Sequence, residues 1–257
     1  MSRQFSSLVR LAGYEVWRTR FGALVSAVLL VAWGVGQFAA TLAVTESAAH
    51  ATVLYAASAR LGLVLVVSLL IITNVIRDDD DRVLDLMLSR PLKRSSWFCA
   101  KFAAYALAAW AASIAASLPL FALGLPWRPV LAWTYSLGCE LMLMVAAALT
   151  AAISFAQVTA AFAATCAFYG LSRALHALVL LSRDPLVDPN APLTRAIGAI
   201  VRGISFALPD LAAYTLSSWL VYAPPTPSEL WFISAQTLLY AALLLSVGLL
   251  DFQRRNF

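Results

Sequence analysis

Apolar residues in this chain fall into six blocks, each divided from the next by polar or charged positions. The blocks cover 21–44, 51–76, 98–124, 130–153, 158–181 and 229–250. Each is longer than the roughly 20 residues an α-helix needs to cross the hydrocarbon of a bilayer. The pattern predicts an all-α, polytopic membrane fold with six transmembrane helices in one domain, 1–257. Residues 1–20 carry a different pattern: Phe5, Leu8, Val9, Ala12, Val16 and Trp17 recur at helical spacing, with Arg3, Arg10, Arg18 and Arg20 among them. That predicts an amphipathic helix lying in the membrane interface. The block after it is long enough to span, so it is expected to stay as the first transmembrane helix rather than to be removed as a signal.

Between the fifth and sixth blocks the segment 182–228 is itself partly apolar. Ile197, Ile200, Val201, Ile204 and Leu208 repeat at three and four residues, after which Pro209 and Asp210 interrupt the pattern and suit the start of a second short helix over 211–220. Both are expected on the outer surface.

Composition removes the soluble alternatives. The chain is 62% hydrophobic and 12% charged, against roughly 25% charged in an ordinary soluble domain. Its net charge of +5 does not indicate a nucleic-acid partner, because the basic residues flank the apolar blocks instead of forming a basic and aromatic surface. They report topology instead: of the 18 Lys and Arg, those in 1–20, 77–101 and 254–255 outnumber the rest two to one and sit on the same side of six spans. By the excess of positive charge on the cytoplasmic side, both ends are expected in the cytoplasm. Cys99, Cys139 and Cys166 lie in or beside apolar blocks without C-x-x-C spacing, so neither a disulfide framework nor a metal site is expected. Trp97, Trp127, Trp133, Tyr214, Trp219, Tyr222 and Trp231 sit near block boundaries, as an aromatic belt would. Alanine runs in 103–116 and 146–152 favour close helix packing.

Four polar residues fall within the fourth, second and fifth blocks. Glu140 lies near the middle of its block, where a carboxylate is costly unless it faces protein or water and has a partner. Arg60 and Arg173 are the candidate partners, and His176 lies one turn beyond Arg173. A substrate path and a structural intramembrane pair both remain open for this group.

The densest charge lies in 77–96. Placed on a helix, Val83, Leu84, Met87 and Leu88 form an apolar face, and Asp81, Arg82, Asp85 and Ser89 a polar one. Asp78 and the aspartates after it suit the positive end of the helix dipole. Pro91 stops the helix, because proline cannot continue the hydrogen-bond ladder and pushes its predecessor out of the α region. A short charged lever joined directly to two spans is the expectation. No G-x-x-x-x-G-K-[ST] loop occurs anywhere, so no nucleotide site, catalytic residue or cofactor is expected in this chain.

The run Leu86-Met87-Leu88-Ser89-Arg90-Pro91-Leu92-Lys93-Arg94, followed by Lys101, resembles the coupling region of ABC-2 type ABC transporter permeases. The resemblance covers nearly the whole chain: an amphipathic first helix, six spans, short apolar helices before the last span, and a tail with Arg254 and Arg255. Leu208-Pro209-Asp210-Leu211 resembles a turn in the outer segment of some members. Departures are the aspartate run and Arg82-Val83, where the family often has glutamate followed by glycine or threonine, and Ala100, where a glycine usually precedes the lysine. The resemblance implies an exporter subunit of the bacterial cytoplasmic (inner) membrane. Asp78, Asp81, Arg82, Asp85, Leu88, Ser89, Pro91 and Arg94 would then engage a separate P-loop ATPase that holds ATP and Mg. A second permease copy or a homologous permease, and an accessory extracytoplasmic subunit, are the other partners implied. Two other readings stand beside it: an ion-coupled secondary transporter, resting on Glu140, Arg60 and Arg173, and a non-transporting membrane scaffold.

Overall fold

Within hydrocarbon there is no water to bond a bare backbone, so a chain segment that crosses it must satisfy its own amides and carbonyls, and each apolar block does so as a helix. In the computed structural model, which describes residues 9–10, 13–14, 19–43, 46–80, 94–183, 201, 203 and 207–254, six long helices stand where the six blocks lie. They are α1 (Phe21–Leu42), α2 (Ser47–Asp80), α3 (Arg94–Ala122), α4 (Trp127–Ser154), α5 (Val158–Arg183) and α6 (Pro227–Arg254). All six are long and apolar enough to cross a membrane, and no strand occurs among the described residues. The chain is a multi-pass α-helical membrane protein.

Successive helices alternate in direction, which gives the bundle two ends. The proximal end holds Arg20, Asp78, Arg94, the turn at 155–157 and Arg254; the distal end holds the turns at 43–46 and 123–126 and the segment 207–226. Helix α4 is the axis of the bundle. It is mostly buried, whereas α1 and α6 are largely exposed, and it packs against α2, α3, α5 and α6. Helix α1 packs mainly on α2. Glycines at helix crossings set how closely helices meet. A Cβ at Gly36 would lie 2.9 Å from the Ala51 carbonyl oxygen, so α1 and α2 touch backbone to backbone. A Cβ at Gly248 would lie 2.9 Å from Thr150 Oγ1, and Thr150 donates to the Leu244 carbonyl at 2.9 Å, so α6 is drawn onto α4 at the same level. Small residues at helix crossings serve this purpose in membranes, where apolar side chains gain little by leaving lipid for protein.

Two expectations are corrected by the packing. The seven boundary aromatics do not all form a belt: Trp127, Tyr222 and Trp231 are exposed, but Trp97, Trp133, Tyr214 and Trp219 are core residues. Trp97 stacks on Phe252, with ring centroids 5.4 Å apart, and so joins α3 to α6. The stretch 211–220 is not a helix on the surface. It is a 3-10 turn, Leu211–Ala213, and a four-residue helix, Ser218–Val221, and Leu211, Tyr214, Thr215, Trp219 and Leu220 are buried in the distal end of the bundle. The reason is side-chain chemistry: the intervening residues have partners on four of the long helices. The expected interfacial helix at 1–20, and the one over 197–208, lie for the most part outside the described residues.

Candidate functional site

The site grows from Glu140 on α4. Its residue is fully buried, about 20 Å along α4 from the Trp127 end at 1.5 Å per residue. Ionised there, it must have partners, since an unpaired buried charge is among the costliest things a fold can hold. It has two. Thr215 donates its hydroxyl to Glu140 Oε2 at 2.7 Å, and Arg173 Nη1 on α5 lies 3.4 Å from Oε1. Tyr169, one turn before Arg173, also faces this carboxylate.

Thr215 is the centre of the distal segment. Its φ of 48° is in the left-handed region, where a β-branched residue is a genuine outlier that costs of order 1–3 kcal/mol and persists only when its surroundings hold it. Every polar atom of the residue is held. Its amide donates to Ser136 Oγ at 2.9 Å, its hydroxyl donates to Glu140, and both its carbonyl and Oγ1 accept from Arg60 Nη1 at 3.3 Å. The contacts therefore come from α4 and α2 together.

Arg173 does more than balance a charge. The same nitrogen donates to the carbonyls of Leu211 and Tyr214. Tyr214 in turn donates to the Ile233 carbonyl at 3.1 Å and shares a hydrogen bond with Thr237 on α6. Tyr240 of α6 donates to the Leu208 carbonyl at 3.1 Å. Asp210 accepts from the Ala212 amide at 3.1 Å and pairs with the exposed His176 of α5 at 3.5 Å. Irregular backbone at membrane depth is tolerated only where protein satisfies it. Here two arginines, a serine and a tyrosine do so, and α2, α4, α5 and α6 all hold the one turn.

A second polar site lies at the proximal end. Lys101 of α3 donates to Asp78 Oδ2 of α2 at 2.7 Å and lies over the rings of Trp97 and Tyr105. Ser154 at the end of α4 donates to Asp251 of α6 at 2.7 Å. The proximal ends of α2 and α3 are thus cross-linked directly beside the residues that join them, and α3 is stacked on α6.

The sequence-derived candidates divide accordingly. Glu140, Arg173, Arg60 and His176 come together, with Arg173 as the direct partner of Glu140 and Arg60 reaching it through Thr215. Of the coupling residues, Asp78 pairs with Lys101, while Asp81, Arg82, Asp85, Leu88, Ser89 and Pro91 lie outside the described residues, and for Arg94 only the backbone is described, at the start of α3. Thr215, Ser136 and Tyr214 were not legible as site residues, because nothing local marks a threonine or serine that will be pinned by residues 75 or more positions away. Among the described residues no group of three His, Cys, Asp or Glu side chains is placed to hold a metal ion. No family model and no curated protein matches the chain, so its function is argued from this geometry.

Proposed function

We propose that this chain is the membrane-spanning permease subunit of an ATP-driven exporter of the ABC-2 type, working with a separate P-loop ATPase that binds ATP and Mg. The observation that carries the reading is the Asp78–Lys101 pair with the helices it joins. At about 1.5 Å per residue, the 34-residue α2 and the 29-residue α3 are roughly 51 and 44 Å long, beyond the roughly 30 Å of hydrocarbon. In this reading their proximal ends stand in or past the headgroups. A push on the residues between them, 81–93, moves α2 and α3 as one body through Asp78–Lys101, and the stack of Trp97 on Phe252 carries that movement to α6. In this reading the proximal end is cytoplasmic, the membrane is the bacterial inner membrane, and a second permease copy or a homologous permease completes the machine, with room for an accessory extracytoplasmic subunit.

The alternative of an ion-coupled transporter needs a carboxylate free to take and release a proton during each cycle. Glu140 has both oxygens engaged, by Thr215 and Arg173, which favours a structural role. Scaffolding alone leaves the cross-linked proximal ends without a use.

Extraction of the tagged chain from its native membrane in mild detergent tests the proposal. Co-purification of a P-loop ATPase, at a stoichiometry near one to one, is the expected result. Repeated recovery of the intact chain with no ATPase overturns it.

A further inference from the structure

Arg60 is incompletely paired at the distal turn. Arg60 uses one nitrogen, Nη1, for two long bonds of 3.3 Å to a single threonine. Its Nε is buried without a partner, and among the described residues no carboxylate lies within ion-pair distance of it. The two nearby acids are committed elsewhere: Glu140 to Thr215 and Arg173, Asp210 to His176 and the Ala212 amide. Arg60 and Arg173 are close enough to repel one another. A guanidinium at this depth, about 20 Å along α2 from its Ser47 end, with no carboxylate of its own, is costly. Its fork of donors matches the oxygens of a phosphate or carboxylate.

We infer that the Arg60 guanidinium forms a binding site for the phosphate group of an anionic molecule handled by this bundle, and that the carbonyl and hydroxyl of Thr215 occupy part of that site in its absence. Thr215 is suited to yielding the place, because its left-handed backbone is strained and its bonds to Arg60 are long. Binding would exchange two weak neutral acceptors for a charged one. The inference rests on the permease reading and names the chemistry of what the permease takes up. A phosphate can arrive from the lipid, on an anionic headgroup, or from water, on a soluble ester.

The test uses the purified full chain in nanodiscs, without any ATPase, and reads the midpoint of thermal unfolding. One arm compares phosphatidylcholine discs with and without phosphatidylglycerol; the other adds glycerol 1-phosphate to phosphatidylcholine discs. The expected result is a rise of roughly 5 °C or more in at least one arm, and the arm that responds identifies the source. Arg60→Gln abolishes the rise, Arg60→Lys retains part of it, and Arg128→Gln, at an exposed arginine of the distal end, keeps it in full. Should Arg60→Gln fail to assemble, Arg60→Lys carries the test, with a reduced rise expected. No shift of the wild-type chain in either arm, or an equal shift in Arg60→Gln, overturns the inference. Because the ATPase is absent throughout, that failure is distinct from a failure to co-purify one.

Discussion

Thr215 and Glu140 are joined by a 2.7 Å hydrogen bond between a strained turn and the most buried helix of the bundle. The turn cannot rest where it does without an acceptor for its hydroxyl and carbonyl-directed cations, and the carboxylate cannot be ionised there without donors. Each makes the other tenable, and Arg173 and Arg60 complete the arrangement from two further helices.

Glu140→Gln is therefore expected to destabilise the protein by about 3 kcal/mol, the lower end for breaking a buried ion pair, since Arg173 is partly exposed. Thr215→Val keeps the side-chain shape but leaves one carboxylate oxygen unbonded, at about 1–3 kcal/mol. Reversible unfolding in mixed micelles containing dodecyl sulfate measures both. The double variant should cost less than the two single losses added together, because the residues share one bond. Additive losses would mean that Thr215 and Glu140 act independently.

At the proximal end the prediction concerns sign. Lys101→Asp and Asp78→Lys each bring two like charges together, and each should lower stability by about 1–3 kcal/mol, with much of the loss recovered when the two are combined. The same micelle titration reports it. If the swapped pair is no better than the worse single variant, the contact between α2 and α3 is not electrostatic in origin.

Backbone contact between α1 and α2 gives a third prediction. Gly36→Ala forces a methyl group against the Ala51 carbonyl and should cost about 1–3 kcal/mol. Gly34→Ala, two residues away with open space around it, should be neutral. Equal effects of the two would place α1 farther from α2 than described.

Much of this architecture was legible in the sequence because the bilayer imposes a simple length rule. The six helices begin and end within a few residues of the apolar blocks, and the differences fall where charged residues such as Arg77 and Asp78 extend a helix past the hydrocarbon. Glu140 was legible for the same reason: a carboxylate amid apolar residues announces that it has a partner. Which arginine would meet it directly was not, since Arg60 and Arg173 are equally polar in sequence and only packing decides between them. The burial of 211–220 is not legible in the sequence, because Trp219, Leu220 and Tyr214 suit an interfacial helix as well as a core. What draws the segment inward is the set of distant side chains, Ser136, Arg173 and Tyr240, that meet its backbone. The same ambiguity covers Trp97 and Trp133, an aromatic at a boundary being equally fit to face lipid or protein.

If force from a separate ATPase enters through the residues joining α2 to α3, as proposed, cross-linking at Asp85 captures the contact. In a background carrying Cys99→Ser, Cys139→Ala and Cys166→Ala, Asp85→Cys is labelled with a short photoactivatable maleimide in inverted membrane vesicles and irradiated. The account predicts an adduct with a P-loop ATPase, lost when the vesicles are stripped of peripheral proteins beforehand. Labelling of the same cysteine by an impermeant maleimide added outside intact cells, with no ATPase adduct in vesicles, would contradict it.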